Sequence, residues 1–214
     1  MSNHKEHSSI IEHYERCLAT HGDNHKGVDW PKQESAEISY SVMLDLLAKD
    51  GRDKITLLDF GCGLSHLYEF IVRKGRSDIQ YTGLDASPAF IKESSRKHPG
   101  IHYICADVLE SSAEIGVFDY VVLNGVLTEK VDLTFDAMWE YAQQLLLKAF
   151  SYARIGMAVN FMSKQVDWER DDLFHLPFDL LAAFLKGNVT RHFTFRHDYG
   201  LYQYTAYMYR EPYT

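Results

Sequence analysis

The feature that most constrains this chain is the passage from Leu57 to His66, where a short apolar run meets two glycines and then a helix-forming segment. Ile55 to Phe60 reads as a strand buried on both faces, because so short and continuous an apolar run suits the interior of a parallel sheet. Gly61 and Gly63 stand where that strand must turn into a helix from about Leu64 to Lys74. Glycine at such a turn lets the backbone approach a ligand at the carboxyl ends of the strands, where open α/β sheets bind.

The alternation continues along the chain. Ile79–Leu84, Ile101–Cys105, Phe118–Leu123 and Ile155–Phe161 read as strands. Pro88–Lys97 reads as a helix opened by Ser87, Phe135–Phe150 as another, and Phe178–Lys186 as a third closed by Gly187 and Asn188. Val189–Arg196 and Leu201–Arg210 are β-prone and separated by His197 to Gly200, which predicts an antiparallel hairpin. Ser8–Ala19 and Ser35–Lys49 carry apolar residues at helical spacing around a loop from His21 to Trp30. The expected architecture is α/β and Rossmann-like: a mostly parallel seven-stranded sheet with a C-terminal antiparallel hairpin and helices on both faces. One domain, 1–214, is expected, with residues 1–50 as a helical cap on a core of residues 51–214.

Bulk properties narrow the function classes. Apolar runs such as Tyr120–Leu123 are far shorter than the roughly 20 residues of a membrane-spanning helix. The polar start, Met1 to Ser8, lacks the order of a secretory signal, and Cys17, Cys62 and Cys105 form no paired framework, so a cytoplasmic location is expected. With 22 Lys and Arg against 30 Asp and Glu, the net charge of -8 offers no footprint for nucleic acid. The 11 histidines form no ligand-spaced motif, and no metal is expected.

A dinucleotide site would want a third glycine at position 66, which is histidine here. Asp59 before the glycines would repel a pyrophosphate but attract a cationic sulfonium and ammonium. At these residues the sequence resembles class I S-adenosylmethionine-dependent methyltransferases, whose first motif is matched by Asp59, Gly61 and Gly63, while Ser65 replaces the commoner third glycine. The resemblance implies that Asp85, with Ala86 beside it, ends the second strand and accepts from the ribose hydroxyls. It further implies that Asp107 and the Val108 amide meet the adenine, and that Asn124 and Gly125 neighbour the methionine part. Cys62, His66 and Trp30 complete the cofactor set expected for S-adenosyl-L-methionine and its product S-adenosyl-L-homocysteine. A fainter resemblance, carried by His21–Trp30, Asn124–Lys130 and Arg196–Tyr202, is to small bacterial methyltransferases associated with surface-polysaccharide and natural-product genes.

The expected activity is methyl transfer to a small-molecule acceptor through oxygen, with neither nucleic acid nor membrane as partner. Such an acceptor wants a base near the strand ends. His197, Asp198 and Tyr199 in the hairpin turn supply it if that turn folds toward the cofactor, and are a solvated loop otherwise. Lys130 after the fourth strand is a further catalytic candidate, while Glu129 reads as ordinary loop solvation. His66 either meets the methionine carboxylate or packs, and Trp30 and Tyr14 either close over the site or belong to the core. The three acids read alternatively as helix-capping turn formers. Two rivals stand beside this reading: a catalytically silent nucleotide-binding protein acting through a partner, and a short dehydrogenase, for which a Tyr-x-x-x-Lys pair is missing. The tyrosine-rich tail, Tyr199 to Tyr213, offers an apolar face for a homodimer or an ordinary packed hairpin.

Overall fold

The computed structural model describes residues 7–212, so most of the polar N-terminal stretch, and Tyr213 of the tail, lie outside the described residues. Among the described residues eight strands form one sheet: β1 (Ile55–Phe60), β2 (Ile79–Asp85), β3 (His102–Cys105), β4 (Phe118–Leu123), β5 (Ala153–Ser163), β6 (His175–Leu176), β7 (His192–Arg196) and β8 (Gln203–Tyr209). Their order is β3-β2-β1-β4-β5-β8-β7, parallel from β3 to β5 and antiparallel at β8 and β7. β6 adds two residues in parallel to the end of β5, pairing Met162 with His175. This eighth strand goes beyond the seven expected, because two residues carry no readable period.

Among the described residues six α-helices flank the sheet: α1 (Ser8–His21), α2 (Gln33–Leu44), α3 (His66–Arg73), α4 (Pro88–Lys97), α5 (Phe135–Ser151) and α6 (Phe178–Asn188). α4 and α5 begin where Ser87 and Thr134 side chains accept the amides of Phe90 and Ala137, satisfying otherwise orphaned donors. α3 begins two residues later than its apolar pattern suggests, at His66, because Gly63 and Ser65 both adopt positive φ (49° and 60°), which no helix accommodates. The second N-terminal helix ends early, at Leu44, and tightens into a 3-10 turn over Asp45–Leu47.

Alternate residues of the central strands feed two cores. Leu58 and Phe60 of β1, with Val121 and Leu123 of β4, pack against α5 and α6, while Ile55, Leu57, Tyr120 and Val122 face α2 and α3. Each fully buried leucine among them contributes about 1.5–3 kcal/mol of burial, so the strand ends sit on a rigid base. At the amino-terminal edge of the sheet, Asp119 accepts the Thr56 amide at 2.8 Å and bonds from Arg52 and Arg154, which hold its carboxyl down to about 2 despite burial. That network is structural and lies at the opposite end of the strands from the site.

At the carboxyl end, the segment after β4 is drawn against residues 170–175. Lys130 N donates to Asp172 O at 2.9 Å, Phe174 N to Thr128 O at 2.7 Å, and Glu129 bridges Leu173. The hairpin turn, by contrast, is held toward the end of α2, where Arg196 pairs with both Asp198 and Asp45.

Candidate active site

The turn after β1 owes its shape to glycine. Gly61 has φ 77°, and a Cβ there would stand 2.4 Å from Val126 Cγ2, so this backbone passes too close to the β4 loop for any side chain. The amides of Gly61 and Cys62 both donate to Leu84 O, tying the turn to β2. Ser65, where a third glycine is commoner, keeps the left-handed conformation that glycine favours, at φ 60°.

Around this turn lies a cleft of about 1080 Å³, including its open mouth, lined by Asp59, Gly61, Cys62, Gly63, His66, Asp85, Ala86, Asp107, Val108, Asn124, Gly125 and Trp30. All twelve residues of the expected cofactor set, Trp30 of the N-terminal cap included, therefore line one cleft. Their convergence follows from the parallel register: Asp59 pairs with Gly83 and Asp85 with Cys105, so successive strands deliver their last residues to one rim.

The acids differ in environment. Asp59 is 3% exposed, accepts one bond from the Tyr81 hydroxyl at 2.7 Å, and is pushed up to about 7, chiefly by burial. Asp85 is pushed up to about 6 by burial, opposed by bonds from the amides of Ser87 and Gly63 at 2.9 and 2.8 Å. Neither acid forms an ion pair among the described residues, so both are poised to accept a ligand cation or hydroxyl. Asp107 is held below the usual carboxylate range by the His7 side chain, 2.7 Å away, and that bond raises the pKa of His7 in turn. His7 also stacks on Tyr141, with ring centroids 5.0 Å apart.

α1 covers the cleft. Ile10, Ile11 and Tyr14 line it, the Tyr14 hydroxyl donates to Gly125 O at 2.9 Å, and Ser87 bonds Glu15. None of these partnerships is visible in local sequence, since His7 and Asp107 are a hundred residues apart; Tyr40 and Tyr141 likewise enter the lining without a motif. Gly125 N donates to Asn160 Oδ1, whose amide donates to Gln203; Gln203 donates to Ser39, and Ser39 to Asn124. This closed polar chain fixes the β4 end against α2, β5 and β8.

The catalytic candidates are placed elsewhere. His197 stands edge-on to Phe178, Asp198 is solvent-exposed and paired with Arg196, and the Tyr199 hydroxyl lies 3.0 Å from Thr205; none lines the cleft. The turn was expected to reach the cofactor only by folding toward it, and Arg196 instead anchors it near Asp45. Lys130 also stays outside, its Nζ donating to Leu133 O. Glu129 does the reverse of what loop solvation predicts: it is 9% exposed and faces a second chamber. His66 meets Asp23 at 2.9 Å while lining the cleft. Ligand atoms of His13, Cys17 and Asp29 lie within 4.8 Å of one another, a grouping that dispersed histidines did not suggest; two of the three are partly buried and one is exposed.

Known proteins resemble this chain in sequence and in fold. A sequence profile described as a methyltransferase domain matches residues 57–149, which hold the glycine turn and all three acids. Rv1506c of Mycobacterium tuberculosis, a protein named as a methyltransferase, is 27% identical over 159 residues, covering 72% of this chain and 92% of its own. The fold is similar to magnesium protoporphyrin IX methyltransferase from Synechocystis PCC 6803, solved with bound S-adenosylmethionine (TM-score 0.59, 15% identity, 95% of this chain and 92% of that one). It is also similar to the plantazolicin methyltransferase BpumL in complex with a desmethyl plantazolicin analogue and S-adenosylhomocysteine (TM-score 0.62, 13% identity, 95% and 93%). No described helix is long and apolar enough to cross a membrane.

Proposed function

We propose that this chain, whose residues 57–149 match a methyltransferase-domain profile, is a class I methyltransferase that uses S-adenosylmethionine and methylates a small-molecule acceptor through oxygen. The observation that supports this most is the meeting of Asp59 and Asp85, buried and without ion pairs, with a glycine turn too tight for a Cβ. Such a rim fits a cationic, ribose-bearing ligand and resists a pyrophosphate.

In this reading Asp85 accepts from the ribose hydroxyls with the lone pairs that its two amide partners leave free. Asp59 offers negative charge to the cationic end, and the Gly61–Gly63 backbone allows close approach. Asp107 and Val108 border the adenine, with His7 and Tyr141 behind Asp107. The bound cofactor supplies a methyl group already activated on sulfonium. The remaining task of the chain is to align the acceptor and exclude water, which α1 serves by lying over the cleft.

A calorimetric titration with S-adenosylhomocysteine, with NAD as control ligand, tests the reading. Binding of the first alone is expected; absence of binding, or binding of NAD, would overturn it. Methyl transfer from labelled cofactor to any metabolite fraction would then set the chain apart from a silent nucleotide-binding protein.

A further inference from the structure

Beside the cofactor cleft lies a second chamber of about 1260 Å³, including its mouth. The two share four lining residues, Tyr14, Val28, Trp30 and Gly125. Gly125 O, at the shared wall, accepts from both the Tyr14 and the Thr128 hydroxyls at 2.9 Å. The second chamber therefore opens beside the end of β4, where the methionine part of the cofactor is proposed to lie.

Its walls are aromatic and apolar: Trp30, Trp168 and Tyr202 with Met162 and Leu173 among them. Trp168 and Tyr202 are both exposed and lie 6.3 Å apart between ring centroids, which marks them as a mouth awaiting a flat partner rather than a closed core. The charge is one-sided. Asp29, Glu129 and Asp167 face the chamber, and the guanidinium of Arg170 is already engaged by Asp172. Asp29 is paired with His13 at 2.7 Å, but Glu129 and Asp167 have no ion-pair partner among the described residues, so an anionic acceptor would meet carboxylates with which it cannot pair.

Within that wall Glu129 is the exceptional group. It is 9% exposed, it lines the chamber, and its carboxyl makes no hydrogen bond among the described residues. A largely buried carboxyl with no protein partner is tolerable where its oxygens face a chamber that water or a ligand can enter. Burial, with Asp29 and Asp172 nearby, pushes its pKa up to about 8, against a smaller opposing effect of Arg170. Tyr14, Cys17 and His175 are the other titratable groups around it, and His13 reaches it through Asp29.

We propose that this chamber is the acceptor site, that it takes a neutral, flat-ring compound bearing a hydroxyl, and that Glu129 receives the hydroxyl proton. This deepens the proposed function and rests on it. The acceptor oxygen gives its proton to a Glu129 oxygen and an electron pair to the methyl carbon, while the carbon–sulfur pair stays on sulfur. A methyl ether, S-adenosylhomocysteine and protonated Glu129 result, and the proton returns to water through the chamber mouth. A group titrating near the working pH suits both halves of that exchange.

The test uses the full chain saturated with S-adenosylhomocysteine and follows quenching of Trp30 and Trp168 fluorescence by two rings of similar shape. One is neutral, 4-hydroxybenzyl alcohol, whose phenol, like that of tyrosine, keeps its proton well above pH 8; the other is anionic, 4-hydroxybenzoate. Above about pH 8, where Glu129 is ionised, the neutral ring is expected to bind about tenfold tighter, because the anion faces the Glu129 carboxylate. Raising the pH through about 8 should widen that gap. In Glu129→Gln the gap should narrow several-fold and lose its pH dependence, while affinity for S-adenosylhomocysteine stays unchanged. Trp168→Ala, at the exposed mouth and outside the cofactor cleft, should weaken the neutral ring while affinity for S-adenosylhomocysteine stays unchanged, and keeps the test decisive if Glu129→Gln misfolds. Equal affinity for both rings, no saturable quenching by either, or a gap unaltered in Glu129→Gln would overturn this assignment while leaving the cofactor reading intact. Loss of S-adenosylhomocysteine binding by the native chain would instead overturn the proposed function beneath it.

Discussion

The Tyr14 hydroxyl donates to the carbonyl of Gly125 at 2.9 Å, and through this bond α1 is fastened to the end of β4 at the wall between the two chambers. Residues 111 positions apart thus set how the cleft is closed. Tyr14→Phe keeps the ring and removes the bond, which should cost about 1 kcal/mol of stability. S-adenosylhomocysteine should leave the variant faster, with less change in its association rate. Stopped-flow measurement of both rates checks this, and unaltered dissociation would mean that α1 does not act as a lid.

Asp85 is expected to hold the ribose of the cofactor. Asp85→Ala should lower affinity for S-adenosylhomocysteine by about 1.5–3 kcal/mol, the range for hydrogen bonds to a charged group. Because the same carboxylate binds the amides of Gly63 and Ser87, the melting temperature should fall as well. Calorimetry on a variant confirmed as folded gives the answer, and native affinity would remove Asp85 from the site.

Burial lifts the Asp59 carboxyl to about 7, above its unfolded value of 3.8. The folded state therefore holds the proton more tightly, so stability from this group is full below pH 3.8 and is lost as pH rises through 7. Asp59→Asn keeps an acceptor for Tyr81 but stays neutral. The variant without cofactor should gain stability over the native chain as pH rises from 4 to 8, by at most about 4 kcal/mol. Its affinity for S-adenosylmethionine should fall. Thermal melts across that range would contradict the assignment if the two proteins tracked each other.

At Gly61 the positive φ and the 2.4 Å approach of Val126 Cγ2 act together. Gly61→Ala should destabilise the chain by about 2 kcal/mol. Adding Val126→Ala should return only the steric share, since the backbone conformation stays unfavourable for alanine. Chemical denaturation of the single and double variants separates the two contributions. Full recovery in the double variant would show that strain at this φ is negligible.

Much of this molecule was readable locally. β1, β4 and α4 begin and end where their apolar runs and capping residues place them. The glycine turn and the three strand-end acids fell at one rim, because a parallel register delivers successive strand ends to the same edge. The hairpin was legible as β7 and β8, but the direction of its turn was not: the Arg196 pair with Asp45 joins residues 151 positions apart. Glu129 and Lys130 show the same limit more sharply. Adjacent charges in one loop look equivalent, yet the bonds of that loop to residues 172–174 send Glu129 into a chamber and Lys130 back to Leu133.

The sequence by itself determined most of the elements, the parallel sense of the central strands and which residue types stand at their ends, since apolar period, capping and turn glycines act over a few residues. Only the tertiary structure decided which helix covers that rim, which loop carboxyl is drawn in from solvent, and where the second chamber opens, because those depend on distant segments closing against one another and on the solvent they exclude together.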